Sequence, residues 1–311
     1  MNRWWLRPAV RIAVALVLPA AVPAIITMLI WALPGDPASI ICPPQSCGGT
    51  AALAERWNLN GGPWQFFTGW LSAALTGDFG NSWRLQQGVP VADLLRDAVP
   101  NTLLLLSLAL IPMALGALGA ATGRLPEKLD GLLQGLGLVP ALVMALVAAA
   151  LVEITYGSNS FEGTARVLRL TSGALVLGVA DAAFSSTVLG VRGLFNTENQ
   201  QRYARVSLLR GEVRLHNTLP NVSPAMAGQL RARALHLASG LVVVEVVLRI
   251  DGLGDLLWGG TLLQDFGVVL AAAAGFAALS SGLLLAQAAV EIATALHIRR
   301  APRVIAAPRS A

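Results

Sequence analysis

Long uncharged stretches alternate with polar, arginine-containing stretches along the whole chain. An apolar run of about 20 residues is long enough to cross a lipid bilayer as a helix. Six segments approach that length, and the fifth contains Arg233 and Glu245. We therefore predict an all-α protein with six transmembrane helices in a single domain, residues 1–311. The predicted spans are residues 12–35, 98–123, 131–152, 170–191, 232–248 and 266–290.

The first apolar run is open to a second interpretation, as a cleaved signal peptide. Arg3, Arg7 and Arg11 form a basic stretch at its start. The run is, however, longer than the apolar core of about 7–15 residues that is typical of such peptides. It ends in Leu33-Pro34-Gly35-Asp36, without the small-residue pattern of a cleavage site. These features favour an uncleaved helix.

Composition excludes the other broad classes of protein. Hydrophobic residues make up 55% of the chain and charged residues only 13%, about half of the roughly 25% usual in soluble domains. Such an apolar chain is also unlike disordered proteins, which are poor in hydrophobic residues. The isoelectric point near 10.2 would suggest a nucleic-acid partner in a soluble protein. In a membrane protein it is typical of arginine-rich cytoplasmic loops.

The distribution of basic residues predicts the orientation. If both termini are cytoplasmic, 16 of the 22 basic residues fall in inner segments and 6 in outer segments. Cytoplasmic loops of membrane proteins carry such an excess of Lys and Arg. We therefore expect residues 36–97 to be external and residues 192–233 to form a cytoplasmic loop. The basic charge is explained without nucleic acid, for which the chain has no recognition motif.

The external segment contains an amphipathic stretch. Trp64, Phe67, Trp70 and Leu71 recur at helical spacing. Such a helix can lie on the outer membrane surface with its aromatic rings among the lipid headgroups. It can equally be a packed helix of a small external domain, and the pattern alone does not separate the two.

Two cysteines, Cys42 and Cys47, lie in the same external segment. In an oxidising compartment they are a candidate local disulfide. Free thiols are the alternative. A metal site with only two thiols and no nearby histidine is disfavoured, and we predict none.

The cytoplasmic loop contains the most distinctive inner element. Residues 198–215 favour a helix in which Tyr203, Val206, Leu209 and Val213 form an apolar stripe among arginines. A helix of this kind can rest on anionic membrane lipids. It can also insert into a groove of a cytoplasmic partner. Both interpretations remain open on the pattern alone.

Several short motifs occur in an order that resembles one known family. They are Leu33-Pro34-Gly35-Asp36-Pro37, Gly77-Asp78-Phe79-Gly80-Asn81-Ser82, Pro100-Asn101-Thr102-Leu103, the short loop from Gly123 to Asp130, and Glu245 followed by Gly252-Leu253-Gly254. The chain resembles the permease subunits of bacterial ABC importers for dipeptides, oligopeptides and nickel. The match is to the first of the two permeases usually paired in such systems and covers nearly the whole chain.

The resemblance implies a type I ABC importer permease fold in the bacterial inner membrane. The expected partners are a second homologous permease, two cytoplasmic ABC ATPases and an extracytoplasmic substrate-binding protein. ATP and Mg²⁺ would be bound by the ATPases, and no cofactor is expected in this chain. Peptides are the implied substrates, with nickel or a metal chelate as the alternative. A membrane-embedded enzyme is a further rival, but the chain has no P-loop and no hydrolase or metalloprotease motif.

In this family the cytoplasmic loop carries a short helix, the EAA motif, that is seated in a groove of the ATPase. The resemblance therefore favours ATPase docking over lipid binding for this loop. Ser207 stands near the position of the family's central glycine, and Gly211 lies farther toward the C-terminus. Tyr203, Ala204 and Arg205 resemble the start of the motif, and His216, Leu219, Pro220 and Asn221 resemble its end.

Two acidic residues fall within predicted spans and a third directly follows one, and ionisable side chains inside a membrane are functional candidates. Asp181 is a candidate for the translocation path. Alternatively, it is a buried carboxyl group that is bonded to a neighbouring helix or paired with Arg233. The resemblance implies that Glu245 shapes the outer gate, whereas Glu291 is expected near the cytoplasmic end of the last span.

Overall fold

The computed structural model describes residues 5–32, 34, 38–39, 50–56, 59–156, 162–212 and 214–300. Every regular element in these ranges is a helix, and short 3₁₀ turns at Leu59–Gly61 and Glu127–Leu129 precede two of them. The helices are α1 Leu6–Ala32, α2 Thr50–Arg56, α3 Gly62–Ala74, α4 Val91–Ala121, α5 Asp130–Gly137, α6 Ala141–Tyr156, α7 Glu162–Val179, α8 Ala183–Asn199, α9 Arg202–Leu209, α10 Arg214–Leu248, α11 Leu253–Leu262 and α12 Phe266–Arg300.

Three of these helices, α1, α4 and α12, are each long and apolar enough to cross a membrane. Two further pairs meet the same criterion only when combined. The α5–α6 pair is bent by 80° and the α7–α8 pair by 45°. The described part of the chain therefore has three candidate spans, or five if each bent pair counts as one. The chain is an all-α, multi-pass membrane protein.

The fifth span predicted from the sequence corresponds to the second half of α10. This helix is continuous over 35 residues. It does not qualify as a span by composition, because Arg231, Arg233 and Glu245 fall within its last 18 residues. The count of six spans therefore stays a prediction.

The hydrophobic core lies where α4 and α10 meet α6 and α7. Leu105 and Met113 of α4 and Leu241 of α10 are fully buried there. Side chains of α7 complete this cluster. Because α10 also packs on α8 and α12, it is the central helix of the bundle.

Helix α3, predicted to be external, packs on the bundle through one face and leaves the other face open. The ring of Phe66 lies 5.6 Å from Trp31 at the end of α1 and 5.5 Å from Phe266 at the start of α12. By contrast, Trp64 and Leu75 are 66% and 80% exposed. The helix is thus packed on the bundle and has an exposed apolar edge; its placement on the membrane surface stays a prediction.

A buried aspartate anchors the segment that follows α3. Asp265, at the start of α12, is fully buried. Its Oδ2 accepts hydrogen bonds from Ser82 Oγ at 2.7 Å, from the Trp83 N–H at 2.8 Å and from the Arg84 N–H at 3.0 Å. One carboxylate therefore fixes the loop after α3 to the start of α12. Nothing in the sequence pattern singled out this residue.

The N-terminal helix is held along α12 by an ion pair. Arg11 contacts Glu291, and both side chains are largely buried. Glu291 also accepts a hydrogen bond from Gln287 on the preceding turn. The bond ties the first helix to the last near the end where both termini lie.

We expect Glu291→Ala to destabilise the protein, because it leaves the Arg11 guanidinium without its charged partner. The cost should be about 1–3 kcal/mol, measured as a lower thermal unfolding midpoint of the detergent-solubilised chain. The exchanged pair Arg11→Glu with Glu291→Arg should recover part of this loss. Arg7→Ala is the matched control, because Arg7 is exposed on the same helix. Equal midpoints for Glu291→Ala and Arg7→Ala would contradict the role of the pair.

Candidate functional site

The first candidate site surrounds Glu245 in the last turn of α10. Its side chain is fully buried. One carboxylate oxygen accepts a hydrogen bond from Thr102 Oγ1 at 2.7 Å, and the other accepts one from the Gly254 N–H at 2.6 Å. Thr102 in turn accepts a hydrogen bond from the Leu253 N–H at 2.7 Å. The acid, the threonine and the two backbone groups thus join α4, α10 and α11. We call this set the outer lock, after the side on which the predicted orientation places it.

The two glycines of the outer lock allow the carboxylate to approach the backbone. A Cβ at Gly252 would lie 2.3 Å from the Glu245 carboxyl carbon. A Cβ at Gly254 would lie 2.5 Å from Val242 Cα and 2.8 Å from Glu245 Oε2. Real Cβ atoms do not come this close to backbone atoms. The spacing of the acid and the two glycines in the sequence therefore has a steric cause.

A second set of hydrogen bonds lies beside the outer lock. Asn101 Nδ2 donates to the Asp251 carbonyl at 2.7 Å, and Arg166 of α7 donates to Asn101 Oδ1 at 2.7 Å. The motif Pro100-Asn101-Thr102-Leu103 therefore holds the α10–α11 turn by two consecutive side chains. Two motifs that lie more than 140 residues apart in the sequence meet here.

An acidic cavity opens next to the outer lock. It has a volume of about 460 Å³, and four aspartates, Asp93, Asp97, Asp251 and Asp255, line it. Burial and the nearby Asp251 carboxylate raise the pKa of Asp255. Among the described residues, no three His, Cys, Asp or Glu side chains are grouped closely enough to hold a metal ion. The four aspartates make the lining of this cavity acidic.

Asp181 lies at the break between α7 and α8 and its side chain is exposed. Its Oδ1 accepts a hydrogen bond from the Ala141 N–H at 3.2 Å. The ion pairs of the described residues do not include one between Asp181 and Arg233. The structure shows the bond to a neighbouring helix, but the expected burial of the carboxyl group was wrong. A role in the translocation path stays a prediction.

The second candidate site is α9 with its flanking residues, which we call the coupling segment. Tyr203 donates a hydrogen bond to Glu198 at the end of α8 and accepts one from Asn221 Nδ2 of α10 at 2.7 Å. Burial and the Glu198 carboxylate raise the pKa of Tyr203, so its hydroxyl stays protonated and remains a donor. A single phenol thus connects α8, α9 and α10.

The faces of α9 differ in burial. Ala204 and Ser207 are buried against the bundle, at 1% and 8% exposure. The apolar stripe faces outward, with Val206 at 45% and Leu209 at 88% exposure. Arg205 is exposed as well. The small side chains therefore seat the helix, and the apolar and basic side chains are presented to the exterior.

The remaining residues of the coupling segment end α9 and begin α10. Gly211 has φ +74, a left-handed conformation that glycine adopts without strain, and it ends the turn after α9. The stripe residue Val213 lies outside the described residues, as do the side chain of His216 and both Cys42 and Cys47. His216, Leu219, Pro220 and Asn221 occupy the first two turns of α10.

An open cavity of about 620 Å³ lies beside the coupling segment. Tyr203, Val206 and Ser207 line it from α9, and Asn217 and Asn221 line it from α10. Asn217 donates a hydrogen bond to Glu212 at 2.6 Å. The first turns of α10 and the helix α9 thus form the two walls of one groove.

The sequence reasoning missed a further contact on this side of the bundle. Arg192 of α8 pairs with Asp130 at the start of α5 and donates to the Leu125 carbonyl at 2.9 Å. Asp130 ends the short inner loop that the family motif includes. The motif could have identified the acid, but its partner lies 62 residues away and no local signal indicates it.

Comparisons with known proteins agree with the motifs. The chain is 26% identical to the oligopeptide transport system permease protein AppB of Bacillus subtilis over 268 residues, which cover 78% of this chain and 83% of the relative. It is also 26% identical to the glutathione transport system permease protein GsiC of Escherichia coli K12, over 80% of this chain and 84% of the relative. The same protein of Shigella boydii matches at 26% identity over the same shares of both chains.

No family model matches the chain. The relatives and the order of the motifs agree in pointing to peptide transport permeases. The chain is therefore a homologue of permeases of oligopeptide and glutathione transport systems.

Proposed function

We propose that this chain is a permease subunit of an ATP-driven importer of peptides. The observation that carries the proposal is the similarity, over about four fifths of the chain, to permeases named for oligopeptide and glutathione transport. Both named substrates are peptides, so the relatives favour peptides over nickel or a metal chelate. The chain would form the translocation path together with a second homologous permease.

The coupling segment supplies the contact with the motor in this proposal. Nucleotide energy must reach the membrane helices through a rigid element. Helix α9 suits this role because Tyr203 holds it to α8 and α10 while Val206 and Leu209 face outward. Arginines beside the stripe can steer it onto an acidic partner surface. Two ABC ATPases would bind ATP and Mg²⁺, and this chain would bind neither.

The outer lock supplies a gate element. Glu245 fixes the turn between α10 and α11 at the outer end of the bundle, beside the acidic cavity. A substrate-binding protein would deliver the peptide on this side. In the proposed orientation both termini, the coupling segment and Arg192 lie in the cytoplasm of a bacterial cell, and the chain lies in its inner membrane.

We expect the double substitution Val206→Asp with Leu209→Asp to abolish docking of the ATPases, because two carboxylates would replace the exposed apolar stripe. Co-purification of the ATPases and peptide-stimulated ATP hydrolysis in proteoliposomes should each fall by about tenfold or more. Leu75→Asp is the matched control, because Leu75 is 80% exposed on the external segment. Intact assembly and coupling in the double variant would refute the docking role of α9.

We expect Gly254→Ala to disturb the outer lock, because the added methyl group would overlap Val242 and the Glu245 carboxylate. The cost should be about 1–3 kcal/mol, as for other overpacked sites, and should appear as a lower thermal midpoint of the solubilised chain. Gly282→Ala is the control, since a Cβ there meets nothing within 4 Å. An unchanged midpoint for Gly254→Ala would argue against the close approach.

We expect the two ends of α10 to lie on opposite sides of the membrane. The test places a single cysteine at Arg210 or at Asp251 in a chain whose two native cysteines are replaced by serine. A membrane-impermeant maleimide added to intact cells should label the cysteine at 251 and should label the cysteine at 210 only after permeabilisation. Labelling of both positions from outside would contradict the prediction that α10 spans the membrane.

A further inference from the structure

Two of the membrane helices in this chain are broken, and the breaks lie against each other. The α5–α6 pair bends by 80° across residues 138–140, and the α7–α8 pair bends by 45° across residues 180–182. Pro140 accounts for the first break, because proline lacks an N–H group and its ring disfavours a helical residue before it. The second break contains no proline or glycine.

Three contacts join the two breaks. The Asp181 N–H donates to the Val139 carbonyl at 3.3 Å, and the Ala141 N–H donates to Asp181 Oδ1 at 3.2 Å. The backbones also touch, because a Cβ at Gly137 would lie 2.7 Å from Ala182 Cα. Ala141 is the first residue of α6, so its N–H has no partner within its own helix. Asp181 therefore caps α6 from a different helix.

The second break adopts a backbone conformation that its residues disfavour. Asp181 has φ 50 and Ala182 has φ 58. The left-handed region is tolerated by aspartate but costs an alanine roughly 1–2 kcal/mol. Contacts elsewhere must hold such a conformation in place. The bonds from Asp181 to the neighbouring break are the contacts that can do so.

Ion pairs join the helices on each side of the breaks. One pair lies in an inner layer formed by α5 and α8, and the other lies in an outer layer formed by α6 and α7. In the inner layer, Arg192 of α8 pairs with Asp130 of α5. In the outer layer, Arg169 of α7 pairs with Glu153 of α6 at 3.2 Å. The inner layer continues through the end of α8 directly into α9, the proposed motor contact. A movement of α9 would therefore turn α5 and α8 together about the paired breaks.

We propose that Asp181 is a positioning residue, the latch of a double hinge at which the inner halves α5 and α8 pivot against the outer halves α6 and α7. The latch acts through the hydrogen bond that Asp181 Oδ1 accepts from the Ala141 N–H. The latch requires an acceptor oxygen but no negative charge, because the Ala141 N–H that donates to the carboxylate is a neutral backbone group. This inference rests on the proposed transport function and adds to it the joint that transmits motion.

The test compares variants that separate the acceptor from the charge and from the backbone conformation. Asp181→Asn keeps an acceptor oxygen and tolerates a left-handed φ. Asp181→Gly keeps the conformation but has no acceptor. Ala141→Pro removes the donor from the opposite side, at the first helical position, where proline is well accepted. Glu127→Gln, at an exposed site on the inner loop, is the control for loss of a negative charge.

Each variant is assembled with the second permease and the two ATPases in proteoliposomes, the substrate-binding protein is supplied with the peptide, and peptide uptake is measured per ATP hydrolysed. Asp181→Asn and Glu127→Gln should stay within about fivefold of the wild type, because a single charge near a helix end contributes little. Asp181→Gly and Ala141→Pro should each lower uptake per ATP by about tenfold, the effect of one lost hydrogen bond. The double variant Asp181→Gly with Ala141→Pro should be no worse than either alone, because both remove the same bond.

The outcomes distinguish this inference from the proposed function. If the wild-type complex assembles but takes up no peptide, the proposed function fails. If it transports and Asp181→Asn falls as far as Asp181→Gly, the charge is needed, the latch is overturned and a path-lining carboxylate is favoured. Additive losses in the double variant, or wild-type uptake per ATP by Asp181→Gly, would overturn the latch as well. Assembly, measured by co-purification, separates these results from misfolding.

Discussion

The buried carboxylate of Glu245 is the constraint around which the outer half of this protein is arranged. A buried acid is costly unless its oxygens are hydrogen-bonded, and here both oxygens accept bonds from neutral groups, Thr102 Oγ1 and the Gly254 N–H. These donors can reach it only if α11 turns back sharply after α10. This sharp turn requires residues without a Cβ at positions 252 and 254. One side chain therefore determines the path of the chain between its last two long helices.

Two other carboxylates also hold a segment in place by accepting hydrogen bonds from backbone N–H groups. Asp265 holds the external loop through the N–H groups of Trp83 and Arg84, and Asp181 holds the start of α6 through the Ala141 N–H. Within the described residues, these three carboxylates thus organise turns through backbone donors. Other acids pair with arginines, namely Asp93, Glu153, Asp130 and Glu291.

The sequence predicts the helices of this fold well but not their interruptions. Apolar runs located α1, α4 and α12 because length and composition suffice for an uncharged span. They could not reveal the break at Asp181 and Ala182, since a left-handed conformation there depends on contacts with Val139 and Ala141 from another helix. The motifs named Glu245, Gly252 and Gly254 individually, and only the fold shows that they form one site with Thr102. The stripe on α9 was visible as a pattern, but its exposure depends on how Ala204 and Ser207 seat the helix.

The contacts also indicate how a force at one end could reach the other. Tyr203 fixes α9 to the end of α8 by its bond to Glu198, and Arg192 fixes α8 to α5. A displacement of α9 therefore cannot be absorbed by α8 alone, because α5 must follow. The outer halves are held separately, since Arg166 binds Asn101 and the outer lock binds α4 to α10 and α11. The broken pairs α5–α6 and α7–α8 pack on the continuous helices α4 and α10, so the breaks are the places in these two pairs where motion can concentrate. Asp181 and Ala182, whose φ angles are left-handed, form one of these breaks. A continuous helix would tilt as a single rod when α9 moves, whereas a broken helix allows its two halves to rotate relative to each other.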